Sequence, residues 1–145
     1  MLPRDFPPWN TVYYYFAKWK RDGTLTRIHD ALRDQVRAQD KPSERTTAAV
    51  DSQSTDSHGT QEARAFDGGK KLDGRKRHLV VDSLGLLLAV CITAGNVADG
   101  VGGKACLDVM APEDYPEVRT IYGDKAYEKA GFPEYVQQWK AGCRL

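Results

Sequence analysis

The sequence predicts a mixed α/β fold, in which a pair of helices precedes a sheet made of one antiparallel hairpin and one parallel strand pair. Three observations predict it. Apolar residues recur at three- and four-residue spacing near the N-terminus, the signature of amphipathic helices. From Arg75 onward, apolar runs bounded by Gly and Asp replace that period, which is the signature of strands and turns. A helical segment then separates the hairpin from the next apolar run, as a parallel crossover requires.

Size and composition set the bounds. At 145 residues the chain is one domain of ordinary size, or a small domain with an appendage. It is 41% hydrophobic and 28% charged, usual for a soluble globular protein, and its net charge of +1 argues neither for nor against nucleic acid. Cys91, Cys106 and Cys143 are widely spaced, with no paired Cys or His motif. A disulfide scaffold or zinc site is therefore not expected, and a reducing compartment fits. The longest apolar run, LGLLLAVCITAG at 84–95, falls short of the roughly 20 residues that cross a bilayer. Nothing at the N-terminus resembles a signal peptide, so the expected location is the cytoplasm, away from membranes.

Residues 1–41 are expected to be helical. DFPPWN supplies a turn with prolines ahead of an N-cap at Asn10 or Thr11. Trp9, Val12, Tyr13, Phe16 and Trp19 or Lys20 then share one face. Asp22 and Gly23 end this helix, and Thr24 caps a second one, with Leu25, Ile28, Leu32 and Val36 (or Gln35) at the same period. Two helices about a short glycine turn form a helix-turn-helix or a plain helical hairpin. Lys18, Lys20, Arg21, Arg27, Arg33 and Arg37 occupy the outer surfaces, as a nucleic-acid contact or as an ordinary solvated face.

Residues 41–68 hold one short strand, TAAV leading to Asp51, followed by a polar, Gly-rich stretch with little to bury, expected to be a loop. RKRHLVVD and LLLAVCITAG then pair about a turn at 83–85, with Asp82 and Gly85 as its turn residues. Residues 96–103 are expected to be a loop and 104–110 a short helix with Asp99 as an upstream cap. VRTIYGDKAY gives a strand that ends at Gly123 and Asp124. Residues 132–140 fit a helix with Phe132, Tyr135, Val136 and Trp139 on one side, and AGCRL begins a further strand.

Two aspartates now occupy like positions. Asp51 follows TAAV and Asp124 follows TIYG, each where an apolar strand gives way to polar residues. If the first strand is central, the hairpin extends the sheet antiparallel on one side. The strand leading to Asp124 then pairs parallel on the other side, after its helical crossover. Neighbouring parallel strands end at one edge, so the two carboxylates are expected side by side. Each alone reads as an ordinary strand-end or turn residue. Together they repel unless cations lie between them, and Mg²⁺ (or Mn²⁺) takes such oxygen ligands along with water and phosphate. Paired ions of that kind serve phosphodiester chemistry. Asp51 and Asp124 are thus the candidate metal ligands and catalytic residues.

A basic stretch adds Lys70, Lys71, Arg75, Lys76, Arg77 and His78, within nine residues of one another and next to Gly68 and Gly69. Beside a phosphodiester site these cations read as DNA-phosphate contacts; alone they would be a solvated hairpin edge. His29 and His58 have no partner at metal-ligand spacing.

AVDSQS, FDGGKKLDGRKRHLVVDSLGLLLAVCITAGNVADG and IYGDKAY, in that order, resemble the DDE-type transposases of bacterial insertion sequences, in the insertion-sequence-five group. DFPPWNTVYYYFAKWKRDGTLTRIHDALRDQVR resembles the N-terminal helical segment of the same group. The resemblance implies a ribonuclease H-like core with three acidic metal ligands, of which Asp51 matches the first and Asp124 the second. The family's third acid, a glutamate, follows on a later helix beyond AGCRL. Glu128 and Glu134 lie too close to Asp124 to take its place.

With MLP at 1–3 falling inside what resembles a longer helical domain, the chain reads as a copy cut at both ends. Residues 1–41 would be an incomplete DNA-binding segment like a helix-turn-helix, and 42–145 an incomplete catalytic core. The implied function is metal-dependent DNA cleavage and strand transfer at insertion-sequence ends, with double-stranded DNA and a second copy of the chain as partners. The alternative is an inactive DNA-binding fragment that interferes with a full-length transposase. Lacking the third acid, the isolated chain is expected to be inactive.

Overall fold

The sheet is organised around its longest strands, β1 (Thr47–Asp56) and β3 (Leu72–Asp82), which run antiparallel from Ala48 opposite Asp82 to Asp56 opposite Gly74. The computed structural model describes residues 3–39, 46–56, 65–67 and 72–145. It divides into two units, Met1–Asp40 and Lys41–Leu145.

The first unit is a helical hairpin, α1 (Trp9–Arg21) and α2 (Thr24–Ala38). Pro8 caps α1 in an extended conformation, and its carbonyl accepts from Thr11 N (2.9 Å) and Val12 N (3.2 Å). The helix thus starts before the expected caps at Asn10 or Thr11. The Asn10 side chain instead accepts from the Thr11 amide (2.9 Å). Gly23, at φ 73°, makes the left-handed turn between the helices. Gly23 rather than Thr24 holds the N-cap position, and the preceding Asp22 Oδ1 accepts from Thr24 N (3.0 Å) and Thr24 Oγ1 (2.6 Å). No residue of α1 is buried, and Trp9, Tyr13 and Tyr14 are all more than half exposed.

In the second unit β1 is flanked on one side by β3 and on the other by β5 (Thr120–Tyr122), which runs parallel to it. β4 (Leu87–Ala94) and the short β2 (Ala65–Asp67) both pair antiparallel with β3, giving a five-stranded sheet. The mixed topology expected from the order of elements is the one observed. Within 41–68, where one short strand was expected, β1 continues to Asp56 and β2 is a second strand. The β3–β4 turn is closed by Asp82, whose Oδ1 accepts from Leu84 N and Leu86 N (both 2.9 Å), with Gly85 at φ 77°. Near the C-terminus, Thr120 forms an isolated parallel bridge with Arg144, and Arg144 O accepts from Ile121 N at 2.7 Å. AGCRL therefore does begin to pair on the outer side of β5.

α3 (Asp99–Asp108) and α4 (Phe132–Trp139) complete the unit. Residues 99–103, expected to be loop, are the first half of α3. Its glycines cost helix propensity, and packing outweighs that cost. A Cβ on Gly102 would sit 2.1 Å from the His78 ring, and one on Gly103 would sit 2.7 Å from the Phe132 ring. Only a bare backbone lets α3 approach this closely, so tertiary contact overrides local preference. The core lies between sheet and helices and includes Val50, Val80, Leu107, Ile121, Phe132 and Val136. On the opposite face of the sheet Val90, Ile92 and Tyr122 are 45%, 64% and 61% exposed.

Candidate metal centre

Alternation along β1 decides where Asp51 goes. Ala48 and Val50 are buried towards the core, so Ala49 and Asp51 belong to the open face. On β5, Ile121 is fully buried, which puts Tyr122 on the open face, level with Ala49. The register runs Thr47 to Thr120, Ala48 to Ile121 and Ala49 to Tyr122. β5 ends there, and Asp124 follows Tyr122 by two residues as Asp51 follows Ala49. Both aspartates are exposed.

The chain leaves β5 through Gly123, where a Cβ would lie 3.1 Å from both Val50 Cγ1 and Tyr127 Cβ. This close approach keeps the end of β5 against β1. Asp124 then caps a single 3-10 turn, Lys125–Glu128, with its Oδ1 accepting from Ala126 N at 2.9 Å. Asp51 Oδ1 accepts from Ser52 N at 2.7 Å. One oxygen of each carboxylate is thus oriented by a backbone N–H. One expectation needs correcting: β1 does not end at Asp51. β3 carries it five residues further, and the edge arises because β5 stops.

Hard, anionic oxygen donors such as these carboxylates suit a small divalent cation with water or phosphate in its remaining positions. Among the described residues, no group of three or more His, Cys, Asp or Glu gathers to form a larger ligand set. Glu128 and Glu134 are exposed.

The basic stretch is split by the pleat, because consecutive strand residues face opposite ways. Arg77 is exposed on the open face, where its Nη2 donates to Gln53 Oε1, and Arg75 shares that face. Lys76 and His78 point the other way and are 7% and 0% exposed. His78 lies under Gly102 with its Nε2 2.8 Å from Thr93 Oγ1. Lys76 Nζ donates to Val97 O (3.0 Å) and pairs with Asp99 Oδ1 (3.2 Å). Burial removes Lys76 and His78 from a solvent-facing DNA surface. Their assignment from sequence treated as one patch what the strand divides between two faces. Lys70 and Lys71 lie outside the described residues, as does His58. Asp99 is the first residue of α3 and the partner of Lys76; Ala98 holds the cap position.

Sequence reasoning passed over Tyr127, which is buried directly beneath this edge. Burial pushes its hydroxyl well above the ordinary phenol range, and the Asp99 and Asp51 carboxylates act in the same direction. The signal was available in IYGDKAY, as an aromatic one turn past an acid.

A sequence model of one family, described as a transposase DDE domain, matches residues 42–145. No curated protein and no solved structure matches the chain.

Proposed function

On the premise that the chain belongs to the family of transposases with a DDE domain, we propose that residues 42–145 are the ribonuclease H-like catalytic part of a DNA transposase. Asp51 and Asp124 are its metal ligands, acting in DNA cleavage and strand transfer at insertion-sequence ends. What supports this reading is the parallel pairing of β1 with β5, in which Asp51 follows Ala49 by two residues and Asp124 follows its partner Tyr122 by two. A bound Mg²⁺ or Mn²⁺ would polarise the phosphate and acidify an attacking water or 3′-hydroxyl.

The chain's own residues supply the rest. The amides of Ser52 and Ala126 hold the two carboxylates in fixed orientations. Repulsion between like charges disfavours the pair without a cation, which stores affinity for one. Leu79 is opposite Asp51, so Arg77 is a diagonal neighbour on the same face, ~7–8 Å away along the sheet. Arg75 and Arg77 can therefore take phosphates flanking the one at the acids, with Lys70 and Lys71 further along the chain. Residues 1–41 offer Lys18, Lys20 and Arg21 at the last turn of α1 as further DNA contacts. Self-association is supported by the exposed Val90 and Ile92 and by the aromatic surface of α1.

A second reading is favoured by one observation, that no third acid joins the pair among the described residues. In that reading the chain binds DNA without cutting it and interferes with a complete transposase. The two readings separate in an assay that follows duplex binding and Mn²⁺-dependent nicking together. Nicking that is lost in Asp51→Asn and in Asp124→Asn supports catalysis by this chain. Binding without nicking supports the interfering fragment, and neither activity contradicts both.

A further inference from the structure

The strand register sets out the open face of the sheet in rows. Tyr122 of β5 is opposite Ala49 of β1, and Ala49 is opposite Val81 of β3. A two-residue step along β1, about 6.7 Å, leads to Asp51, opposite Leu79. The next step leads to Gln53, opposite Arg77. The row of the acid thus lies between a row with an aromatic ring and a row with a guanidinium.

Packing gives no reason for that ring. Ile121, fully buried, anchors β5 in the core, whereas Tyr122 is 61% exposed. The other apolar residues of these rows, Ala49, Leu79 and Val81, are aliphatic, and Ala49 is too small to cover its neighbour. A flat apolar surface with a polar tip suits a partner that brings its own π-face into a wet interface, as a nucleobase does. Charge selects the same partner. An apolar helix laid over these rows would desolvate the Arg77 guanidinium, whereas a DNA strand neutralises it. In an intact duplex each base face is covered by its neighbours, so the ring can stack only on a base that has left the stack or lies at an end.

We propose that Tyr122 is a base-stacking residue, which makes the site favour DNA with unpaired bases beside the phosphate at Asp51. The ring takes the base on one side of that phosphate, and Arg77 takes the next phosphate on the other side. This rests on the reading of residues 42–145 as a DNA-acting core. It does not depend on cleavage.

The test compares the full chain with Tyr122→Leu and Tyr122→Phe on two labelled DNAs, a blunt duplex and the same duplex with a single-stranded tail. The tail carries a fluorescent adenine analogue that stacking quenches, and anisotropy gives the affinities. The parent should bind the tailed duplex more tightly than the blunt one and quench the analogue. Tyr122→Leu should weaken the tailed duplex about tenfold, the factor that one stacked base represents. It should bind the blunt duplex within twofold of the parent and leave the analogue bright. Tyr122→Phe keeps the ring and should behave as the parent. The salt slope should be the same in all three, since the ring neutralises no phosphate. A Tyr122→Leu affinity for the tailed duplex within twofold of the parent would overturn the inference while leaving the DNA reading intact. Equal losses on both DNAs, or a loss in Tyr122→Phe as large as in Tyr122→Leu, would do the same. A parent chain that binds neither DNA would overturn both.

Discussion

Arg75, Lys76 and Arg77 are consecutive cations that should respond to substitution in opposite ways, because the pleat sends the two arginines to the open face and the lysine inward. Consider Arg75→Ala with Arg77→Ala. If each arginine neutralises one DNA phosphate, the slope of log K against log salt should fall by roughly 0.9 per contact, or ~1.8 for the pair. Over a fourfold rise in salt the parent should then lose ~12-fold more affinity than the variant. The loss should be similar for unrelated duplex sequences, since phosphate contacts read no bases. Stability should fall less than in the lysine variant. Lys76→Met should do the reverse. It strands the Asp99 carboxylate, whose side chain is 20% exposed and which pairs with Lys76 at 3.2 Å. Removing one partner of such a pair costs on the order of 3 kcal/mol. The salt slope should stay that of the parent. Fluorescence anisotropy with a labelled duplex at several salt concentrations, beside urea melts, measures both quantities. An unchanged slope in the arginine variant, or a slope change in Lys76→Met equal to that of one arginine, would refute the assignment of faces.

Two further outcomes follow from the packing of α3. Gly102→Ala would place a methyl 2.1 Å from the buried His78 ring, so it should cost about 1–3 kcal/mol in urea melts despite the better helix propensity of Ala. Burial pushes the Cys106 thiol up to about 12, with Cys91 adding to the effect. Cys106 should therefore resist iodoacetamide at pH 8 until the chain unfolds, which mass spectrometry of the labelled peptides would reveal.

The topology was legible because its signals are local and ordered. An apolar run, a hairpin with Asp82 and Gly85 at its turn, a helix and another run leave few arrangements, and β5 lies beside β1 as that order requires. The parallel pairing of β1 with β5, the strands that lead to Asp51 and Asp124, could be inferred from the same order. The side-chain partition was not read so well. The run from Arg75 to His78 looks like a single cationic patch in sequence, and only the burial of Val80 and Val50 reveals which alternate set turns inward. The start of α3 was missed for a different reason. DGVGG is a poor helix by propensity, and it is helical because the rings of His78, Phe132 and Tyr127 occupy the space where side chains would be. Tyr127 escaped notice because the groups around it, Gly103 of α3 and Phe132 of α4, come from other segments.

The central claim is that Asp51 and Asp124 share a divalent cation, and the most direct measurement is a Mn²⁺ titration of the full chain with Asp51→Asn and Asp124→Asn. Each substitution removes one charge and keeps the shape, so each should abolish binding. Each should also leave the melting temperature unchanged, or raise it by relieving repulsion between the carboxylates. The parent should bind weakly without DNA, because two carboxylates leave most of the coordination sphere to water. Mn²⁺ binding by both variants with the affinity of the parent would contradict the claim.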